Sequence, residues 1–363
     1  MHFNTDLLLL ARESRGYSQT ELAKRAGMTQ ETVSRYENNS LAVAEENARK
    51  LAGALNYPLE FFSQDARVYG AGITFETYFR KRTSVGSLHL RKVQAQMEVL
   101  RLRLDRLLRN IELESEFNFD AMDIDEYDGD VERIAGLLRA AWKLPPGPVK
   151  NLVGVIERAG GLVIHFGFGT PKIDAASQWV RGMPPLFFVN SSAPGDRQRL
   201  TLSHELGHVL MHRTMSANVE EEADRFASSF LMPAHDILPE LRSRPRLTLD
   251  LLSNLKVRWR VSMQALVRRA RDLGVITENE YRNLFIEFSR RGWRKHEPVE
   301  VQHEEPKLLA EVLTTVLKTS FADVGDLAKA LLADEEDLRQ QFPLGPTRLR
   351  VLSNKRNTGD SRG

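Results

Sequence analysis

The sequence predicts a multidomain protein: an all-α N-terminal module, then an α+β domain organised around one histidine-bearing helix, then a helical C-terminal extension. Three observations predict it. Residues 5–62 break into short, separately capped helical stretches. β-rich runs at 162–166, 176–182 and 185–190 lead directly into the apolar stretch RLTLSHELGHVLMHR. Beyond residue 299, Leu and Val recur at helical spacing.

The bulk numbers suit this plan. A chain of 363 residues is long enough for two or three domains, each with its own core. With 28% charged and 42% hydrophobic residues it reads as an ordinary globular protein. No run of eighteen apolar residues occurs, and LLLLA at 7–11 is short and flanked by Asp6 and Arg12, so neither a membrane span nor a leader is expected. A cytoplasmic protein is the economical reading. The absence of cysteine removes disulfides and thiolate ligands, so any zinc must be held by His and carboxylate groups.

In the N-terminal module, Thr5 or Asp6 caps a first helix that stops at Gly16. Ser18, with Glu21 three positions on, caps a second helix that ends at Gly27, and Thr29 caps a third. A fourth places Ala48, Leu51, Ala52 and Leu55 on one face. Two short helices joined through a glycine turn are the helix-turn-helix arrangement. This stretch resembles the XRE family of repressor-type DNA-binding domains, through Ser18-Gln19-x-x-Leu22-Ala23, Ala26-Gly27 and Thr32-Val33-Ser34-Arg35-x-Glu37-Asn38. The resemblance implies double-stranded DNA as partner, with Gln30, Glu31 and Arg35 facing base edges and Gln19 and Asn38 touching phosphates. Residues 1–65 hold seven Lys/Arg against nine Asp/Glu, however, so the module alone attracts DNA weakly.

Charge is strongly segregated further on. Residues 67–110 carry ten Lys/Arg and three acids, whereas 111–132 carry ten acids and no base. The basic segment could supply the missing attraction to DNA, with Arg101, Arg103 and Arg106 as candidates for phosphate. Its helical pattern sets Val93, Met97, Leu100, Leu104, Leu107 and Ile111 on one stripe, which suits either a homodimer-forming helix or a packed connector. The acidic block reads as a solvated linker or as a cover for a basic patch.

After a helix, a Pro-Pro-Gly break and a second helix ended by Gly160-Gly161, three strands feed the histidine helix, an α+β pattern. Their edges could receive an extended peptide as an added strand. His204 and His208 are four residues apart and share a helix face, where two imidazoles can hold one Zn2+ ion. Glu205 then stands beside the open coordination position as a general base. The third ligand is expected from VEEEADRFASSFLMP. Glu220 and Asp224 share a face there, beside the apolar Ala223, Phe226, Ala227 and Phe230. Glu220 is assigned as ligand, with Glu221 the alternative, and Asp224 as the carboxylate that orients a ligand histidine. His212, one further turn along, is read as a supporting residue, by packing or on the substrate side, with a third histidine ligand the alternative. His212 and Arg199 are candidates for an oxyanion donor by proximity in sequence.

A second resemblance covers about 130–298. Arg199 through His208, Glu220-x-Glu222-Ala223-Asp224-x-Phe226-Ala227, Phe230-Leu231-Met232-Pro233, SMQALVRRARDLGVI and GWRKHEP look like the ImmA/IrrE family of zincin-like, gluzincin-type metallopeptidases. That family's members cleave helix-turn-helix repressors to relieve repression. The resemblance implies zinc and a protein substrate, such as a repressor, a toxin, another regulator or the chain itself, in a stress, mobile-element or toxin-antitoxin setting. The domain boundaries expected are 1–66, 67–129, 130–298 and 299–363, the last a helical cap with a basic disordered tail. Two rival readings stay open: a repressor or antitoxin-like regulator whose zinc domain senses or scaffolds, and a zinc hydrolase of a non-peptide substrate.

Overall fold

A computed structural model describes residues 2–69, 86–109, 111–212, 218–342 and 344. The basic residues at 80–82 and the C-terminal tail lie outside the described residues.

The N-terminal helices are α1 (Thr5–Arg15), α2 (Gln19–Ala26), α3 (Gln30–Glu37) and α4 (Glu45–Leu55), closed by a 3-10 turn at Leu59–Ser63. Local chemistry sets their limits. Ser18 and Thr29 accept the N–H groups of Glu21 and Thr32, while Gly16 and Gly27 end α1 and α2 in the left-handed conformation that glycine adopts without strain. The cap of α1 is Asn4, one residue ahead of the expected Thr5 or Asp6, because its side chain reaches both Asp6 and Leu7 N–H. Leu7, Leu22, Val33, Leu51 and Phe62 close the core of this module.

Next comes the long helix α5 (Ser87–Leu108), where the packing decides between the two readings of the stripe. The helix is buried on two sides. Val93, Met97, Leu100, Leu104 and Leu107 pack on the sheet, as the stripe foretold. Ala95, Val99 and Leu102 complete the core of the N-terminal module. A face already occupied by the chain's own domains makes α5 a packed connector.

The mixed domain contains α6 (Val131–Ala141), α7 (Leu152–Arg158), β1 (Leu162–Phe166), β2 (Ala175–Gln178), β3 (Leu186–Asn190), α8 (Gly195–Met211) and α9 (Val219–Leu231). Then follow α10 (Ala234–Leu241), α11 (Leu249–Trp259), α12 (Met263–Asp272) and α13 (Glu278–Arg290). The strand order is β1-β3-β2, with β1 parallel and β2 antiparallel to β3. Strand alternation splits the sheet cleanly. Val163, Ala175, Phe187 and Val189 face α8 in one core, whereas Leu162, Ile164, Ala176, Leu186 and Phe188 face α5 in the other.

The acidic block is not a free linker. Phe117, Phe119, Met122, Ile124 and Tyr127 pack against the main core, and Met122 N–H donates to Leu210 O at 2.9 Å, next to the end of α8. Its acids alternate with these anchors and point outward. The C-terminal helices α14 (Leu308–Thr319), α15 (Val324–Ala330) and α16 (Glu335–Gln341) do more than cap the mixed domain. Leu309, Leu313 and Leu327 join the core beneath the sheet, and Asp337 pairs with Arg15 of α1 at 2.6 Å.

Candidate functional site

Helices α8 and α9 pack closely because Gly207 has no side chain: a β-carbon there would stand 3.0 Å from the Phe226 ring. Ala223, Phe226, Ala227 and Phe230 are buried, so the predicted apolar face of α9 lies inward. That docking carries Glu220 and Asp224 to the histidines. His204, His208 and Glu220 each offer one ligand atom, and these atoms lie within 4.8 Å of one another. The two Nε2 atoms are 2.9 Å apart and Glu220 Oε1 is 3.5 Å from His208 Nε2. Two ring nitrogens and a carboxylate converging from two helices suit a divalent ion of zinc's type.

Each histidine is held from behind. His204 Nδ1 lies 2.8 Å from Asp224 Oδ1. Burial works against the charged form of His204, but Asp224, Glu205 and Glu220 outweigh it and hold its pKa above the ordinary value. His208 Nδ1 lies 2.8 Å from His212 Nδ1, and His212 Nε2 lies 3.0 Å from Glu222 Oε2. Burial, then the neighbouring His208 and His204, depress His212 to about 4, which leaves it a neutral ring. His212 is not a further helical residue on the shared face. Helix α8 stops at Met211, and His212 turns away with extended backbone (φ −110°, ψ 93°).

Glu205 is 5% exposed and accepts a 2.7 Å hydrogen bond from Ser177 Oγ on β2. Arg199, read as a possible oxyanion donor, points elsewhere. It stands five residues before His204, about 140° round the helix. It is buried on Glu304, Arg260 O and Val149 O. Of the two outer strands, β2 is buried, with Ala175, Ala176, Ser177 and Gln178 at most 5% exposed, whereas His165 and Phe166 of β1 are partly exposed.

On the N-terminal module, Gln30, Glu31, Arg35 and Asn38 are exposed, and Gln19 is half-buried. Gln30 Nε2 donates to Gln19 Oε1 at 2.7 Å, and Gln19 Nε2 donates to Glu37 Oε2 at 2.8 Å. Glu37 is clamped by Arg12 through two bonds of 2.5 and 3.0 Å. Asn38 Nδ2 reaches Ser34 Oγ at 3.4 Å. The basic helix does not extend this surface. Arg101 and Arg103 are 3% and 1% exposed, paired with Glu98 and Gln341, and Arg106 donates to Ala330 O. Interior packing has taken the charges that the sequence offered to phosphate.

Three residues at or near the site were not foreseen: Ser177, Glu222 and Glu98. Ser177 and Glu98 lie 28 and 80 residues from the partners they meet, Glu205 and Gln178, so only the folded sheet brings them together. Glu222, named in the sequence only as part of the family motif, meets His212, a histidine that lies beyond its helix end.

Two known family models match the chain. A helix-turn-helix family model matches residues 8–62. A model described as an IrrE N-terminal-like domain, of the M78 peptidase family, matches residues 156–271. Both matches fall within the boundaries expected for the two domains. No curated protein matches the chain at a significant level. Among the described residues no helix is long and apolar enough to cross a membrane.

Proposed function

We propose that this chain, a helix-turn-helix domain joined to an IrrE-like peptidase domain, is a DNA-binding regulator with zinc-dependent endopeptidase activity. The observation that carries this reading is the convergence of His204 Nε2, His208 Nε2 and Glu220 on one point beside Glu205. In this reading His204, His208 and Glu220 hold the ion. Zinc, when bound, would supply Lewis acidity and lower the pKa of water toward neutrality.

The chain's own residues do the rest. His204 donates from Nδ1–H to Asp224, which leaves Nε2 free to ligate. His208 donates from Nδ1–H to His212, and a neutral His212 passes the chain on by donating from Nε2–H to Glu222. Glu205 takes the proton of the attacking water and returns it to the leaving amine. The helix α3 would present Gln30, Glu31 and Arg35 to base edges, with Gln19 and Asn38 on phosphates. The substrate class is a protein of regulatory type, such as a repressor, a toxin or the chain itself, in a stress, mobile-element or toxin-antitoxin setting in the cytoplasm.

Metal analysis of wild type, His204→Ala and Glu205→Gln tests this. Wild type and Glu205→Gln should hold one zinc per chain and His204→Ala none. Glu205→Gln should slow any cleavage that wild type performs by about 10²-fold or more. Equal zinc in wild type and His204→Ala would remove the assignment. A second reading, a repressor or antitoxin-like regulator whose zinc domain senses or scaffolds, is favoured by the burial of β2, the outer strand that holds Glu205. A wild type that binds zinc yet cleaves no partner regulator would select it.

A further inference from the structure

The strand β2 meets the motif helix on one face and α5 on the other. Ser177 points to α8, where its hydroxyl donates to Glu205 Oε2 at 2.7 Å, and both side chains are buried. The next residue, Gln178, points the opposite way, and its Nε2 donates to Glu98 Oε2 at 2.7 Å. Glu98 is itself 1% exposed and paired with Arg101 at 2.7 Å. Two adjacent residues thus pin one short strand between a buried ion pair and the carboxylate of the motif. A strand fixed on both faces cannot slide without breaking one of these bonds.

We propose that Ser177 is a positioning residue for the peptidase reaction: it anchors Glu205 Oε2, so that Oε1 is the oxygen presented to the proton. This rests on the peptidase reading above. Carboxylates turn about their last torsion with little preference. An anchored oxygen therefore removes a freedom that would otherwise be lost at each turnover. The anchor also suits both protonation states. When Oε1 takes the proton, Oε2 still accepts from the Ser177 hydroxyl, so the group needs no rearrangement between accepting and returning it.

The test uses the full-length protein loaded with cobalt(II), whose visible spectrum reports on the ion, and acetohydroxamic acid as probe. A hydroxamic acid gives up its N–OH proton on chelating a metal, and a carboxylate within reach takes that proton. Ser177→Ala should retain one cobalt per chain but raise the dissociation constant of the probe by about threefold to tenfold, the cost of ordering on binding one side chain that the anchor no longer holds. Ser177→Thr, which keeps the hydroxyl, should restore binding toward the wild-type value. Unchanged affinity in Ser177→Ala overturns the proposal. So does an equal loss in Ser177→Ala and Ser177→Thr, or a loss of cobalt in Ser177→Ala, since each makes the residue a packing element. A wild type that takes up cobalt but not the probe overturns it as well, because Glu205 is then not held toward the ion. Failure of wild type to bind any metal would instead strike the peptidase reading itself.

Discussion

The histidine cluster and helix α3, proposed to face DNA, are held in different ways. Around His204 and His208 each ring nitrogen directed away from the shared point is engaged by a second side chain, and that side chain sits on another element or beyond the helix end. On α3 only the Gln30 end is braced, through Gln19 of α2 to Glu37, whereas Arg35 makes no side-chain hydrogen bond among the described residues. A metal centre must be assembled before its ion arrives, because ligand placement errors cost affinity directly. A base-reading surface can leave its long side chains mobile until DNA orders them. The difference shows which site should suffer from distant packing defects and which only from substitutions of the contact residue itself.

The largest effect should come from the helix that the sequence offers to DNA and the fold assigns to the core. Glu98 accepts from Arg101, Gln178 and the Tyr69 N–H. Glu98→Ala leaves a buried guanidinium unpaired and should cost about 3–5 kcal/mol of stability, read from urea denaturation. Arg101→Ala should destabilise too, while the salt dependence of DNA binding by its folded fraction stays unchanged. A smaller salt slope with intact stability would put α5 back on the DNA side.

Next in size is Arg35→Ala. An arginine paired with guanine contributes about 1–3 kcal/mol of discrimination between bases. The variant should bind operator and random DNA more nearly alike, with stability untouched, because the side chain is exposed. Binding isotherms on both DNAs across a salt series give the answer. A loss of stability together with specificity would mean that this surface, too, is held from behind.

Asp224→Ala should weaken zinc by about tenfold, the low end of the usual effect of such partners. The Asp224 side chain is 78% exposed, so water and counterions screen its hold on His204. Competition with a chelating dye measures it. No change would show that the buried docking of α9 alone orients His204.

Much of this was legible in the sequence because it is local. The i, i+4 pairs His204/His208 and Glu220/Asp224, the caps at Ser18 and Thr29 and the β-rich runs of β1 and β3 are each read from one short stretch of chain. What escaped depends on contacts between distant segments. The stripe on α5 was legible, but not that Ala95, Val99 and Leu102, also at i, i+4 and i+7, seat a second core, since spacing alone does not say which domain covers a second face. The acidic block hid its anchors, Phe117, Phe119 and Met122, because net charge dominates a composition reading. Arg199 misled for the opposite reason: nearness along a helix says nothing about which side faces the site.

The smallest prediction concerns ionisation away from both sites. Glu157, half-buried at the end of α7, has a pKa raised above 4.5, chiefly by burial, although the Lys307 and Leu308 N–H groups it accepts act in the opposite direction. Its folded form therefore keeps a proton that the unfolded chain has already released. The resulting stability is fully present below pH 4.5 and is lost as pH rises through the folded value. Glu157→Gln keeps an oxygen for both N–H groups and cannot ionise. Relative to wild type it should match near pH 4.5 and gain a few degrees or less in melting temperature by pH 7. Zinc content and DNA binding should not move. If they did, a perturbed acid remote from the histidines would be coupled to function, and the sharp division between a site held from behind and a surface left free would have to be redrawn to include the start of the C-terminal extension.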